Sequence, residues 1–570
     1  MRIKILRVII VGLFAAVILN LFYLQVIRGS YFYNLSKNNR IRVVPLEGWR
    51  GKIKDREGVV LADNRLTYNI LITPQDIENS DELFAFLSGV LGIDCKVIRD
   101  RYVQRKFASF APVLIAQDID RQKAIVLQEN QYRFPSLLVQ ESFIREYPFK
   151  ESSAHVLGYV AEISQAKMEQ FKEYGYSPLG LIGYSGVEEY YDKDLRGDPG
   201  GIQVEVNNRG QQVRLLGIRN PSQGKDITLT IDERIQQMSR DLLQDRKGVI
   251  IVMDLSNGEI LGLTNSPSFD PNVFVNRKER KNLSVLLKDP SYPLLNRAIK
   301  GLFPPGSVFK LPVAICALQL KKANPHTTFT CPGFYQLGQR KFECAHVHGI
   351  QDLMEAIAHS CNVYFYNLGR LLGEDQISLY AKRFGLGDFT HIDLPYEEKG
   401  FVPSSDQRFR LGNSWYPGDT LNFSIGQGDL LVTPLQLVNM MSLIARSGWA
   451  TKPHVIKAIA GQPVVQPIPE QKIILDSKIF KTIKDALRLT VSDPSGTAHS
   501  LAINGLTVAG KTGTAQTVKN KSSHAWFVGY TEGTEKEIVF CVFLEYGGSS
   551  QNACLLARDL LLKMREDHIL

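Results

Sequence analysis

The sequence predicts an α+β protein in three parts: one apolar N-terminal helix, a β-rich middle region, and a C-terminal domain built on an antiparallel sheet flanked by helices. Residues Val8–Leu24 form an almost unbroken apolar run. Residues 42–64 alternate apolar and polar side chains and are broken by Gly48, Gly51 and Gly58, a pattern of short strands and turns. The C-terminal half carries strand-like segments at both ends with helical ones between, the order expected of helices packed on an antiparallel sheet.

A chain of 570 residues is too long for one core, so two or three domains are expected. A hydrophobic content of 44% and a charged content of 22% fit a folded protein and exclude a disordered one. The net charge is +9, with Arg2, Lys4 and Arg7 crowding the first turn and the remainder spread out. No nucleic-acid fingerprint is recognisable, and the basic balance suits a chain beside anionic lipid or an anionic polymer.

The run Val8–Leu24, with Ile5, Leu6, Val26 and Ile27 at its flanks, approaches the ~20 residues that cross a bilayer, and Asn20 is the one polar residue inside it. The cations before it place the N-terminus in the cytoplasm by the positive-inside rule. A cleaved signal peptide is the alternative, but the run is long for one and no A-x-A site follows. The expected parts are 1–28 for the cytoplasmic tip and anchor, 29–222 for the middle domain, and 223–570 for the C-terminal domain. The second boundary rests on the polar turn cluster Asn220–Gly224.

Within the middle domain, Glu82–Leu91 and Arg121–Asn130 look helical, and the stretch Asp81–Gln170 is mixed. Gly183–Gly197 reads as an amphipathic helix ended by a glycine, and Gln203–Leu216 as strand. The C-terminal domain opens with strand-like Ile227–Ile231. Asp232 then caps a helix whose apolar Ile235, Met238, Leu242 and Leu243 have helical spacing. Val249–Met253 is a strand, and Asn257-Gly258 a hairpin turn into Glu259–Leu263. Gly505–Thr514, Ala525–Tyr530 and Ile538–Leu544 are further strands, and Asn552–Met564 is a closing amphipathic helix.

Three polar motifs lie in this domain in a fixed order. Ser307 and Lys310 are three apart on a helix that begins after Pro304-Pro305-Gly306, so they share a face. The pair reads as a nucleophile with its base, because burial against Phe303, Phe309 and Leu311 would lower the lysine pKa. Ser360 and Asn362 follow the helical stretch Asp352–His359; the hydroxyl can relay a proton, and the amide can hold a peptide carbonyl and donate to the lysine pair. Lys511, Thr512, Gly513 and Thr514 sit on a strand: Gly513 leaves the backbone bare for an extended peptide, and Lys511 with Thr512 can bind a carboxylate. The backbone amides of Ser307 and Thr514 would form an oxyanion hole. Alone, each motif also fits an ordinary cap or surface residue. Together they are the set expected of serine enzymes that attack D-alanyl peptides and β-lactams.

With these residues the chain resembles the class B penicillin-binding proteins, in particular their elongation-type branch. The resemblance is carried also by the apolar anchor, Arg50-Gly51-x-Ile53-x-Asp55-Arg56, Gly186-Val-Glu188 with Leu195-Arg-Gly197, Asn296-Arg297-Ala298, Gly426-Gln-Gly428, and His524-Ala-Trp526-Phe-Val-Gly529. It implies an elongated, dimerisation-type pedestal for the middle domain and a serine β-lactamase-like transpeptidase domain after it. It implies a single-pass protein of the cytoplasmic membrane that cross-links peptidoglycan stem peptides, is acylated by β-lactams, and has room for a D,D-carboxypeptidase side activity. The implied partner is a polytopic membrane glycosyltransferase of the rod-shape system. No glycosyltransferase module is visible in the chain. A division-type role, a β-lactamase and a β-lactam sensor are the alternatives; the last two would not need the pedestal or would need several membrane spans.

Seven cysteines are present, at 95, 316, 331, 344, 361, 541 and 554, so at least one lies outside any internal disulfide. Cys316, Cys541 and Cys554 lie in apolar runs and read as buried hydrophobes. Cys331, Cys344, His348 and Cys361 cluster between the first two motifs and form a tetrahedral zinc set. Elongation-type relatives include members with a four-ligand zinc site here, its last ligand inside the second motif, where this chain has Cys361. A Cys331–Cys344 disulfide is the alternative, and His346 could replace His348. A metal tied to Cys361 would fix the loop bearing Ser360 and Asn362. No cofactor is expected for catalysis.

Overall fold

The computed structural model describes all residues except 1, 33–40, 47, 107–111, 165–166, 168, 170–180, 199, 207–211, 277–279, 411, 468–472 and 518–520. The end of the mixed stretch at Gln170 and the centre of the strand expected over Gln203–Leu216 therefore lie outside the described residues.

The N-terminal helix α1 (Arg2–Phe22) continues into a π-helical turn, Tyr23–Ile27. Its apolar span, Ile5–Ile27, has 23 residues, a mean hydropathy of 2.6 and no buried surface. A helix apolar on every face has no favourable side to turn toward water, and this one is long enough to cross a bilayer.

The chain divides into two compact units, the smaller comprising residues 1–51, 64–145 and 196–225. There, Gly200–Val206 pairs antiparallel with Ile41–Leu46 on one side and Gln212–Arg219 on the other. Tyr68–Ile72 pairs with Val113–Ile119, and the helix Ser80–Leu91 packs nearby, burying Leu83, Phe84 and Leu87 with Ile70, Ile72 and Ile115. Asn79 caps that helix by accepting from the Glu82 amide, and Gly92 ends it in the left-handed region.

The larger unit comprises residues 52–63, 146–195 and 226–570. The helix expected over Gly183–Gly197 is not continuous. Leu181–Tyr184 is a strand paired with Tyr159–Glu162, followed by two short helices, Gly186–Tyr190 and Asp192–Leu195. The chain folds back tightly here: a Cβ on Gly183 would lie 1.8 Å from the Glu188 carbonyl oxygen, and the Gly183 amide donates to Asp192. The glycine that looked like a helix residue is where strand and helix touch.

The main sheet of this unit has five strands, β1 (Gly248–Asp254), β2 (Ile260–Ser266), β3 (Thr507–Ala515), β4 (His524–Glu532) and β5 (Ile538–Leu544), in the order β2-β1-β5-β4-β3. All neighbouring pairs are antiparallel. One face packs on α2 (Glu233–Leu243) and α9 (Ser550–Glu566) through Ile250, Val252, Phe527 and Val542. The other face buries Val249, Ile251, Val528, Cys541 and Phe543 among residues of α3 (Lys310–Gln319) and α7 (Pro434–Ala445). Burial on both faces explains why these strands read as continuous apolar runs without alternation. The remaining helices that bear on the site are α4 (Leu353–Ala358), α5 (Asn362–Leu372), α6 (Pro417–Ser424) and α8 (Ser477–Ser492). Strand β3, which carries the third motif, is the sheet's edge.

Candidate functional site

The first motif sits where a 3₁₀ turn, Gly306–Phe309, runs into α3. Prolines before it cannot continue a helix, so the turn begins abruptly and leaves Ser307 half-buried at the helix entrance. Close backbone approach on two sides requires glycine. Gly306 has φ +55°, and a Cβ there would lie 2.8 Å from the Thr514 carbonyl oxygen of β3. Gly426 has φ +76°, and a Cβ there would lie 2.1 Å from the Gly306 carbonyl oxygen. The Gly306 amide donates to the Gly426 carbonyl at 3.0 Å, and the Trp526 indole donates to the Pro304 carbonyl at 3.1 Å.

Lys310 is fully buried. Its Nζ donates to the Ser360 carbonyl at 2.6 Å, to Ser360 Oγ at 3.2 Å and to Asn362 Oδ1 at 2.7 Å, and it lies 5.4 Å from the centre of the Phe365 ring. Burial pushes its pKa down to about 8, with the nearby thiols acting in the opposite direction. A neutral amine keeps two N–H donors for the two carbonyl oxygens and a lone pair free for a hydroxyl. The first two motifs are thus joined through one nitrogen.

Ser360 and Asn362 occupy the junction between α4 and α5. Ser360 has φ +57°, a conformation that costs a residue with a side chain on the order of 1 kcal/mol or more, so its surroundings must hold it. They do so through Cys361, whose amide donates to the Ala356 carbonyl, and through Lys310. The Asn362 amide does not donate to Lys310 as expected; it accepts from it, and its Nδ2 donates to the Glu343 carbonyl at 3.2 Å. An amide oxygen can only accept, which fixes that direction whether or not the lysine holds its extra proton.

The third motif faces the first. Lys511 is fully buried, with its Nζ 3.5 Å from the Thr512 carbonyl oxygen, and its pKa is held well below the usual range by burial and then by repulsion from Lys310. A Cβ on Gly513 would lie 2.8 Å from the Pro305 carbonyl oxygen and 3.1 Å from Trp526 Cβ and Val308 Cγ2. The glycine exists so that the Ser307 turn can lie on β3. Thr514 is exposed, while Thr512 is buried and donates to Thr497 Oγ1 at 2.8 Å. All eight residues expected to carry chemistry, at 307, 310, 360, 362 and 511–514, therefore belong to one constellation.

Thr497 was not foreseen. It lies in a turn over 493–498, and Pro, Ser, Gly and Thr together carry no chemical signal of their own.

Cys331, Cys344, His348 and Cys361 place one ligand atom each within 4.8 Å of all the others. His348 Nδ1 lies 3.6 Å from Cys331 Sγ and 3.5 Å from Cys344 Sγ. Tetrahedral zinc with its usual bond lengths would set such S···N separations at about 3.5 Å, so the four residues fit the ion. All seven cysteines are free thiols, and the His346 ring is not part of the cluster. The Cys344 thiol is held far below its usual range by a hydrogen bond with Cys361, whose own thiol that bond and burial push up. Cys316, Cys541 and Cys554 are buried as expected.

Residues 248–561 match the penicillin-binding protein transpeptidase domain, and residues 45–229 match the penicillin-binding protein dimerisation domain. The chain is 32% identical to the peptidoglycan D,D-transpeptidase MrdA of Haemophilus influenzae, over 95% of this chain and 88% of that one. Among solved structures, penicillin-binding protein 2 of Helicobacter pylori, in its complex with MreC, superposes with a TM-score of 0.83 at 28% identity, covering 93% of this chain and 99% of that one. A chain from a structure titled "Structural coordination of polymerization and crosslinking by a peptidoglycan synthase complex" superposes with a TM-score of 0.73 at 31% identity, covering 98% of this chain and 97% of that one.

Proposed function

The chain belongs to the penicillin-binding protein transpeptidase family, and we propose that it is the D,D-transpeptidase that cross-links peptidoglycan stem peptides during cell elongation. Ser307 Oγ attacks the carbonyl between two terminal D-alanines, the amide bond breaks, and D-alanine leaves. An amine of a neighbouring stem peptide then attacks the Ser307 ester and releases the cross-linked product. Neutral Lys310 takes the Ser307 proton, and Ser360 passes a proton to the leaving nitrogen. Lys511 and Thr512 receive the terminal carboxylate, and the amides of Ser307 and Thr514 face the developing oxyanion. β-Lactams acylate the same serine.

The observation that carries this reading is the burial of Lys310 against both polar residues of the second motif, which favours its unprotonated form. The test is labelling of the full-length protein in detergent with a fluorescent penicillin. Wild type takes one label per chain and Ser307→Ala takes none; stoichiometric labelling of that variant overturns the assignment.

The helix α1 anchors the chain in the cytoplasmic membrane as a single span. Arg2, Lys4 and Arg7 favour an N-terminus in the cytoplasm, which leaves the transpeptidase domain outside. The MreC complex of one structural neighbour and the peptidoglycan synthase complex of the other support a partner from the rod-shape system, and we assign that partner as a polytopic membrane glycosyltransferase. Zinc held by Cys331, Cys344, His348 and Cys361 would have a structural role, fixing the α4–α5 junction and taking no part in the reaction.

A further inference from the structure

We propose that Thr497 is a positioning residue for recognition of the substrate's terminal carboxylate, acting by aiming the hydroxyl of Thr512. This rests on the reading of the Ser307 site given above.

A path of hydrogen bonds joins the second motif to the third without passing through the catalytic lysines. Thr497 Oγ1 lies 2.8 Å from Thr512 Oγ1 and 3.2 Å from the carbonyl oxygen of Ala358. Ala358 ends α4, just before Ser360. The Thr497 backbone is held independently: its amide donates to the Ala358 carbonyl at 3.1 Å, and its carbonyl accepts from Gln551 Nε2 at 3.0 Å. Ser495 adds a second bond to α4's end, 2.9 Å from His359 Nε2.

A hydroxyl has one proton to give. Thr497 gives its proton to the Ala358 carbonyl, so Thr512 gives its own to Thr497. Thr512 then presents lone pairs to any ligand beside it. A carboxylate is acceptor-only, so it cannot be received in that state. Reversal of the pair resolves the conflict. Thr497 turns to donate to Thr512, Thr512 donates to the carboxylate, and the Ala358 carbonyl keeps the Thr497 backbone amide. Residues alternate faces along a strand, so Thr512 shares its face of β3 with exposed Thr514. The two hydroxyls thus carry one proton direction at rest and the other when an anion is bound.

A purely structural tie would make the same contacts. The substitution that separates the two is Thr497→Val, which keeps shape and both backbone bonds but removes the hydroxyl, with Thr497→Ala as a second variant and Thr497→Ser as the rescue. The readout is steady-state kinetics of full-length protein in detergent on a D-Ala-D-Ala peptide with a free terminal carboxylate and on its C-terminal amide. Thr497→Val raises KM for the free acid about tenfold, the size of one mis-aimed hydrogen bond to a charge, with kcat and the amide constants little changed. Thr497→Ser behaves as wild type. Equal losses on acid and amide, or no loss on either, overturn the proposal. A wild-type chain that takes no penicillin label overturns the site reading and this proposal with it.

Discussion

Lys310 Nζ donates to Asn362 Oδ1 at 2.7 Å, across 52 residues of chain. The same nitrogen reaches Ser360 on both its carbonyl and its hydroxyl. Two loops that meet only through folding are therefore registered by one amine. Lys310→Met keeps the length and apolar body of the side chain but removes the base. It is expected to slow acylation by penicillin about 10²- to 10⁴-fold, the range of a positioned general base, and to lower the melting temperature, because the Ser360 and Asn362 oxygens lose their buried donor. Stopped-flow acylation of the two proteins is the measurement, and an unchanged rate would remove lysine from its role.

Acylation should also depend on pH with a definite sign. Burial lowers the Lys310 pKa to about 8, and only the neutral amine can accept the serine proton. The second-order acylation constant is expected to rise with pH, about tenfold per unit well below 8, and to level above it. A flat profile between pH 6 and 9, with protein stability unchanged over the window, would contradict a lysine base.

The Ser307 turn is held by residues that do no chemistry. Trp526→Phe keeps the ring but orphans the Pro304 carbonyl, which should cost about 1 kcal/mol of stability and slow acylation several-fold. Gly426→Ala is expected to be worse, because its φ of +76° is strained for alanine and the new Cβ would meet the Gly306 carbonyl oxygen at 2.1 Å. Thermal unfolding and penicillin labelling report both effects, and a wild-type Gly426→Ala would show that the turn yields.

The sequence made much of this legible, and its failures have particular causes. The strands β3, β4 and β5 stood out because burial on both faces leaves uninterrupted apolar runs, and the lysine motif stood out because two hydroxyls and an amide recur near it in a fixed order. Asp232 was read correctly as a cap, and its carboxylate accepts from the Arg234 amide. That Gly513 also makes room for the Ser307 turn was not legible, since sequence cannot say which neighbour presses on a missing side chain. The helix expected over Gly183–Gly197 failed for the same reason, at Gly183. Thr497 was invisible because its only signal is a hydroxyl inside a turn. Arg297, quoted among family-like residues, is a buried strut: it pairs with Glu545 at 3.0 Å and donates to the Ser291 and Tyr292 carbonyls.

Acid stability offers a test away from the site. His155 is buried, with Nε2 2.9 Å from the Pro293 carbonyl oxygen, and burial pushes its pKa down to about 3. The unfolded chain binds a proton at this histidine near pH 6.5, whereas the folded chain resists it, so stability falls as pH drops below about 6.5 and keeps falling toward 3. At pH 5 the loss from this residue alone is about 2 kcal/mol. His155→Gln should flatten that part of a denaturation profile measured from pH 7 to pH 5; an equal slope in both proteins would assign the acid lability elsewhere.

Asn362 receives the Lys310 proton donor, and its own amide N–H lies 3.2 Å from Cys344 Sγ, so the metal ligands and the catalytic loop share a backbone. If zinc fills the cluster, removing it leaves three thiols and an imidazole crowded around a hole, with Cys361 no longer tied. The left-handed Ser360 should then relax, because nothing but its neighbours holds it there. Chelation is expected to slow acylation by roughly tenfold or more, within the 10- to 100-fold typical of lost outer support at a site. The melting transition of the sheet should shift less, since β1 to β5 contribute no ligand. Metal analysis of the full-length protein purified without chelator checks the premise: about one zinc per chain is expected, and less than about a tenth of an equivalent refutes a zinc site.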